Sequence, residues 1–545
     1  MDSNHSSGTN ESNWFADVLI PNFPSLTEDM AVDVCVVGAG IAGLTTAYLL
    51  AREGKRVVCL DDGAIGSGET GRTSGHLCSA IDDRYYELER QHGLEHAKIV
   101  AESHAAAIDR IEQIIQDERI ACDFERLDGF LFVPPGESLD VLDLELKAAH
   151  RVGLKGVELL DHAPRAPFDT GPCLRWPNQA QFQPLKYLTQ LAKALVKHGG
   201  QIFAQSHVAE IHHGMPGRIV TSAGHTVTAE SVVVATNVPI NDRVVMHTKL
   251  EPYRTYVIAA RIAHKAVVKA LYWDTPDPYH YIRVEERRDA DGPYDLLLVG
   301  GEDHQTGQAD DFDGRFARLH AWMRERFPMA GPIAYRWSGQ IIETVDGIGY
   351  AGRNPLDGEN VFIITGDSGN GLTHGTLGAI LVTDLIAGRE NPWAKLYDPA
   401  RKILSAGMEF AKHNANVALQ YSDWLTAGDV EGAEQIARGE GAILRHGAGK
   451  LAVFRDEEGE LHACAATCPH LGGVVAWNGT EKTWDCPLHG SRFDAHGRVV
   501  NGPANVNLRE MKLAEPDLTT DDTEAEKVPA ETGKHPATRW GARRL

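Results

Sequence analysis

The segment Asp33–Asp62, DVCVVGAGIAGLTTAYLLAREGKRVVCLDD, constrains this chain more than any other. Val34–Val37 is an unbroken apolar run, the pattern of a strand buried on both faces. Gly38-Ala39-Gly40-Ile41-Ala42-Gly43 follows, and helical spacing then continues to about Glu53, before a second strand at Arg56–Leu60. Two parallel strands joined by a crossover helix require a helix-covered sheet. The first glycine permits the tight turn. The second lets backbone approach a pyrophosphate, and the third lets helix and strand pack closely. Asp61, ending the second strand, stands where an acid takes ribose hydroxyls. The pattern predicts a dinucleotide site at Gly38, Gly40, Gly43 and Asp61, and leaves NAD or FAD open.

A chain of 545 residues exceeds one core, so two or three domains are expected. The net charge of −23 argues against a nucleic-acid or anionic-membrane surface. No apolar run is long enough to suggest a membrane span, and the polar start MDSNHSSGTNESNW lacks the features of a secretory signal. Eight cysteines, six of them without paired spacing, argue against a disulfide framework. A soluble, cytoplasmic protein is the expectation.

Residues 1–31 read as a polar lead-in and 32–395 as one α/β domain. Alternating strands at about 245–340 (YRTYVIAARI, YHYIRVE, YDLLLVGG) suggest an inserted antiparallel sheet. Residues 396–440 read as a helical connector and linker, and 441–513 as a small module of short strands. Residues 514–545, almost without apolar side chains, read as a disordered tail.

Beyond Asp61 the chain runs GAIGSGETGRTSGH; further on stand TSAGHTVTAESVVVATN and YRWSGQIIETVDGIGYAGRNP, then NVFIITGDSGNGLTHG. In this order the segments resemble the D-amino-acid-oxidase-like flavoprotein family: a flavin-wrapping loop, a strand returning to the nucleotide, and a closing Trp-x-Gly, Asp-Gly and glycine turn. The resemblance implies a Rossmann-like FAD-binding domain with an inserted antiparallel substrate sheet. It also implies oxidation of a C–N bond in an amine or amino acid by hydride transfer to the flavin. Carried over by position, Thr70, Arg72, Thr73 and Ser74 would lie near pyrophosphate and flavin. Val208 would offer backbone to adenine, and Gly366, Asp367, Gly371, Leu372 and Thr373 would lie near ribityl chain and ring. Arg254, Arg261, Arg283 and Arg336 are candidates for a substrate carboxylate, each weighed against an ordinary strand-edge charge. Tyr253, Tyr256, Tyr279 and Tyr281 could line the pocket or merely pack. His76 and Cys78 follow the flavin loop, where some relatives attach flavin covalently. No catalytic residue is assigned.

Cys468-Pro-His470 and Cys486-Pro-Leu-His489 form C-x-H…C-x-x-H. Each loop carries one cysteine and one histidine, whereas zinc spacing usually pairs like with like. From Gly441 to Leu513 the chain resembles the Rieske domain, which implies an all-β fold and a [2Fe–2S] cluster with two thiolates on one iron and two imidazoles on the other. Gly473 and Leu488 stand where respiratory relatives carry a disulfide. Ser491 could donate to a cluster sulfur, while Phe493 replaces a tyrosine donor. Gly502-Pro503-Ala504 reads as a covering loop and Cys464 as a packed strand residue.

A two-electron cofactor beside a one-electron carrier suggests a circuit from substrate through FAD and cluster to an external acceptor. Reverse flow and a non-catalytic electron-transfer or sensing role are the alternatives. A Rieske oxygenase would need a mononuclear iron. Glu89, His92 and His96 mimic such a triad on a predicted helix, but a solvated helix face is the simpler reading.

Overall fold

The computed structural model describes residues 8, 10–164, 168–241, 246–355, 357–402, 407–447 and 449–513. Met1–Met511 form one compact unit; of the second, Lys512–Leu545, only Lys512 and Leu513 are described. The expected tail, 514–545, lies outside the described residues.

Strand β1 (Met30–Val37), helix α1 (Ile41–Arg52) and strand β2 (Val57–Leu60) form the anticipated crossover unit. β1 pairs in parallel with β2 on one side and with Thr226–Val234 on the other. The sheet extends to Gln201–Phe203 beyond β2 and, past Thr226–Val234, to Val361–Thr365 and Tyr350–Arg353. Helix Gly371–Ile386 packs on α1 over one face. Val34, Cys35 and Val36 are buried on both sides of this layer, which explains the unbroken apolar run. Each such side chain contributes about 1.5–3 kcal/mol. Beyond β2, Gln201–Phe203 joins the parallel sheet, and Val208–His212 pairs antiparallel with Gly217–Thr221.

The second sheet is larger than the expected insert. Besides Leu250–Ala263, Leu271–Asp274, His280–Asp289, Gly292–Gln305 and Ile333–Thr344, it recruits His76–Leu77, Glu125–Phe132, Glu158–Leu160 and Cys173–Gln181. These early strands enter because Glu125–Phe132 pairs in parallel with Leu271–Asp274, a contact between segments distant in sequence.

The lead-in is also more than a tether. Trp14 is fully buried against Trp337 and donates its indole N–H to the Thr73 carbonyl at 2.7 Å. Ser12 Oγ donates to the Gly71 carbonyl at 2.5 Å. Ser12 and Trp14 thus brace the flavin loop from behind.

Two four-stranded antiparallel sheets form the C-terminal module, one from Glu440–His446, Gly449–Arg455, Leu461–Ala465 and Glu510–Met511. The other is Ala476–Asn478, Thr483–Asp485, Arg492–Asp494 and Val499–Asn501. Helix Gly407–Gln420 and the 3-10 turn Tyr421–Leu425 lead into it.

Candidate functional site

One cavity of about 290 Å³ runs from the glycine turn to the second sheet. Gly38, Gly40, Asp61, Thr70, Arg72, Thr73, Ser74, Val208, Gly366, Asp367, Gly371, Leu372 and Thr373 all line it. Gly43 does not. It acts from behind, where a Cβ would fall 1.8 Å from the Gly38 carbonyl oxygen. Gly38 has φ +104°, and a Cβ there would lie 2.4 Å from the Ala235 carbonyl oxygen. The turn is therefore closed to side chains on both sides, and the α1 N-terminus faces the cavity bare.

Thr70 Oγ1 accepts from Ile41 N at 3.1 Å, tying the flavin loop to that helix start. Asp61 takes the N–H groups of Ala39 (2.5 Å) and Gly63 (2.9 Å); burial, then the neighbouring Asp62, raises it to about 7. Ser74 Oγ lies 2.8 Å from His76 Nδ1, and burial pushes His76 down to about 3. Asp367 accepts from Ile342 N, and Thr373 Oγ1 lies 3.0 Å from His104 Nδ1. Trp337, the tryptophan of the Trp-x-Gly, donates to the Arg72 carbonyl at 2.9 Å and fixes the loop backbone.

Two candidates have unexpected partners. The Arg72 guanidinium donates to the carbonyls of Ser338 (2.8 Å) and Gly8 (2.9 Å) and pairs with Glu481 at 3.5 Å. The Val208 carbonyl accepts from Asn505 Nδ2 at 2.8 Å. Both partners, Glu481 and Asn505, belong to the C-terminal module. Val499, Val500, Asn501, Gly502, Ala504 and Asn505 of that module share the cavity wall.

At the other end stand Asp82, Thr255, Trp273, Tyr279 and Tyr281, with Cys78 and His76 beside them. Tyr279 OH donates to Asp82 at 3.3 Å, and Thr255 Oγ1 lies 3.0 Å from Tyr281 OH. Burial raises Asp82, and burial with repulsion from Asp82 and Asp277 raises Asp303 to about 7, despite its bond to Thr255. Glu343 is raised too, by burial and by Asp83, Asp82, Asp367 and Asp303. The Cys78 thiol is half-buried, and desolvation, then Asp82, raises it above its usual range.

None of the four candidate arginines lines the cavity. Arg254 is buried against Ser338 and Glu481. Arg283 donates to the carbonyls of Ser74, Gly75 and Phe182. Arg261 pairs with Asp289 and Arg336 with Asp313 at the surface. Tyr256 packs on Phe316 and His304, and Tyr253 OH accepts from Gln305. The apparent Glu89–His92–His96 triad dissolves: Gly93 separates two helices, Glu89 pairs with Arg151, and His92 Nε2 meets the Asp346 carbonyl.

In the C-terminal module Cys468, His470, Cys486 and His489 converge. The two thiols are in contact, and the two imidazole centroids lie 5.0 Å apart. His489 Nδ1 is buried with no protein partner among the described residues, which suits an atom reserved for a metal. Backbone bonds from Cys468 N to Gly473 O (2.8 Å) and Cys486 N to Ser491 O (2.8 Å) shape the loops. Gly473 and Leu488 face each other, since a Cβ on Gly473 would lie 2.6 Å from Leu488 Cγ. The Ser491 hydroxyl bonds Cys468 and accepts from Ala504 N at 2.9 Å, so Gly502-Pro503-Ala504 does cover the loops. Phe493 is fully buried without a hydroxyl, and Cys464 packs in its strand. His247, from the flavin half, packs its ring 4.5 Å from His470 and 5.7 Å from His489. Trp424 and Tyr421 of the connector donate to the carbonyls of Gly472 and Leu471.

Residues 33–385 match the family described as FAD dependent oxidoreductase, and residues 426–512 match the Rieske [2Fe-2S] domain. The chain belongs to the FAD-dependent oxidoreductase family. Its C-terminal module is a Rieske domain, and its cofactors are FAD and a [2Fe–2S] cluster. The Rieske match begins at 426 rather than 441, because the linker docks on the module: Asp429 N donates to Ile443 O at 2.7 Å.

YhfW of Bacillus subtilis (strain 168), named as a Rieske 2Fe-2S iron-sulfur protein, is 31% identical over 506 residues, spanning 92% of this chain and 98% of its own. Gamma-glutamylputrescine oxidoreductase of Escherichia coli (strain K12) is 30% identical over 381 residues, 67% of this chain and 86% of its own. Glycine oxidase from Geobacillus kaustophilus superposes with a TM-score of 0.57 at 19% identity, over 68% of this chain and 99% of that one, which shows the shared fold. Among the described residues no helix is long and apolar enough to cross a membrane.

The cavity fits FAD: a turn stripped of side chains, a bare helix start and an acid at the strand end lie along one channel. The Cys₂His₂ set fits the cluster. Sequence reasoning missed Glu69, Gln340, Glu481, Asn501 and Asn505, which join the two cofactor sites. Glu69 accepts from Gln340 N (2.6 Å) with one oxygen and from Asn501 Nδ2 (2.7 Å) with the other. Nothing in a lone polar residue signals such a distant partner.

Proposed function

We propose that this enzyme oxidises the C–N bond of a cationic amine and releases the electrons singly, through the cluster, to an external one-electron carrier protein. The observation that carries the substrate class is the acidic end of the cavity. Asp82 and Asp367 line it, Asp82 helps to raise both Asp303 and Glu343 close behind, and no arginine of the sheet lines it. Crowded, desolvated carboxylates are relieved by a cation and repel an amino-acid carboxylate. Asp82, raised chiefly by burial, is placed to hold the ammonium and take the proton it must lose. Tyr279 and Tyr281 help close the site to water.

The reaction removes a hydride from the carbon bearing nitrogen and a proton from that nitrogen. The resulting iminium ion is hydrolysed to a carbonyl compound and ammonium, and two electrons pass to two equivalents of the carrier. Bound FAD supplies the hydride acceptor and the bound cluster a one-electron relay. Support for the relay comes from the Rieske residues 499–505 in the wall of the flavin cavity.

Anaerobic mixing with diamines, monoamines and amino acids, while following flavin and cluster absorbance, tests this reading. Bleaching by amines that lack a neighbouring carboxylate, with the cluster following, is expected. Bleaching by amino acids alone would overturn the substrate class. Flavin reoxidation only by oxygen, with a silent cluster, would overturn the relay.

A further inference from the structure

We propose that Gln340 is a positioning residue that couples the flavin cavity to the cluster loop, the two halves working in the fixed docked arrangement of this structure. The inference rests on the proposed FAD-to-cluster route and names the contact through which it runs.

Gln340 sits in strand Ile333–Thr344 opposite Arg254 and is 2% exposed. It lines the flavin cavity. Its Nε2 donates to the carbonyl of Gly490 at 3.1 Å, and Gly490 directly follows the cluster ligand His489. Only glycine permits this approach: φ at Gly490 is +75°, and a Cβ would lie 2.4 Å from Gln340 Nε2 and 2.4 Å from Pro252 Cβ. The backbone of Gln340 is anchored as well, because its main-chain N–H donates to Glu69, which also binds Asn501 of the Rieske domain.

The remaining atom of the amide, Oε1, is buried and has no protein partner among the described residues. A buried acceptor is costly to leave unsatisfied, so the site calls for a donor from the cavity. FAD carries N–H and O–H donors. One rigid amide therefore has its donor end on the cluster loop and its acceptor end free for the occupant of the flavin cavity. Electronic coupling decays more slowly along bonds and hydrogen bonds than across van der Waals gaps, so this contact is a short route between the centres. The buried bonds on either side of it remove any need for the Rieske domain to swing.

The test uses the holoenzyme reduced by a photoexcited deazaflavin, so that no substrate is needed. Intramolecular transfer is the phase of cluster bleaching whose rate is independent of deazaflavin concentration. In Gln340→Met, which keeps length and volume but loses the donor, this phase should slow by more than about tenfold. The cluster's midpoint potential and paramagnetic-resonance spectrum should match wild type. A wild-type rate in Gln340→Met, or an altered cluster spectrum that makes the effect structural, overturns the role of Gln340. Absence of the phase from the wild type overturns the underlying FAD-to-cluster route instead. Should the variant fail to load its cofactors, hydrogen exchange of wild-type residues 486–491 with and without FAD decides: slower exchange with FAD supports the coupling, and unchanged exchange overturns it.

Discussion

Glu481 holds the Rieske domain to the flavin domain through charge that water cannot reach. Its carboxylate lies 3.5 Å from Arg72 and 3.6 Å from Arg254, and it accepts from Ser338 Oγ at 2.6 Å. All three charged groups are nearly inaccessible, Glu481 at 1%. Burial alone would raise Glu481, but Arg72, Arg254 and Arg492 overcome it and hold the carboxyl below its usual value. Glu481→Ala strands two buried guanidinium groups and one hydroxyl, so the expected loss is that of breaking a buried pair, about 3–5 kcal/mol. At about 1.4 kcal/mol per decade, docking weakens by roughly two to three and a half orders of magnitude. Native-state hydrogen exchange of segments 338–340 and 499–505 reads this directly, and exchange in both should accelerate together. The depressed carboxyl adds a pH signature. Its contribution is present above the unfolded value of about 4.3 and is lost as pH falls through the lower folded value. Wild-type docking should therefore weaken in acid, and Glu481→Gln should lose that part of the acid sensitivity. Exchange within about twofold of wild type in Glu481→Ala would refute the reasoning, because a stranded buried pair cannot be that cheap.

Two further outcomes follow from the cofactor cradles. Ser491 donates to Cys468 and Phe493 cannot donate, so Ser491→Ala should lower the cluster potential and Phe493→Tyr should raise it. Each shift is about 60–130 mV, one hydrogen bond to a charged group for a one-electron couple. Wild type should sit in the lower part of the range of about −150 to +300 mV, and a titrated value near its top would sink the argument. Gly43→Ala should cost more than about tenfold in FAD affinity by flavin-fluorescence titration, since its Cβ meets the Gly38 carbonyl. Gly314→Ala is the control: its backbone is helical and its Cβ meets nothing closer than 3.5 Å, and unchanged binding in both variants would refute the steric account.

What the sequence made legible follows from how many alternatives each residue had. Gly38 and Gly43 could be read because no side chain fits the carbonyl contacts they make. The four cluster ligands could be read because few chemistries ask for one cysteine and one histidine in each of two loops. Polar residues carry no such exclusion. Asn505 and Gln340 are ordinary in sequence, and their partners Val208 and Gly490 lie far along the chain. Trp14 could not be placed either: its polar neighbours concealed an indole buried against Trp337. The arginine candidates failed because strand residues near a site are far commoner than those that face it. Arg254 does face a buried carboxylate, but one from the Rieske domain rather than from a substrate.

Arg72 shows why the two halves should be considered as one site. Resemblance placed it beside pyrophosphate and flavin, and it does line that cavity. Its guanidinium instead spends three contacts on Ser338, Gly8 and Glu481, bringing the flavin domain, the N-terminal segment and the Rieske domain to one buried charge. The flavin loop around Arg72 is thus held in shape by the Rieske domain, and the Rieske domain by the flavin loop. Such reciprocity makes the coupling thermodynamic: whatever favours the docked domain also favours the loop that receives FAD, and by the same free energy FAD favours docking. A chain built only to carry a mobile electron shuttle would have no use for a buried arginine shared in this way. One built to keep two redox centres at a fixed separation would.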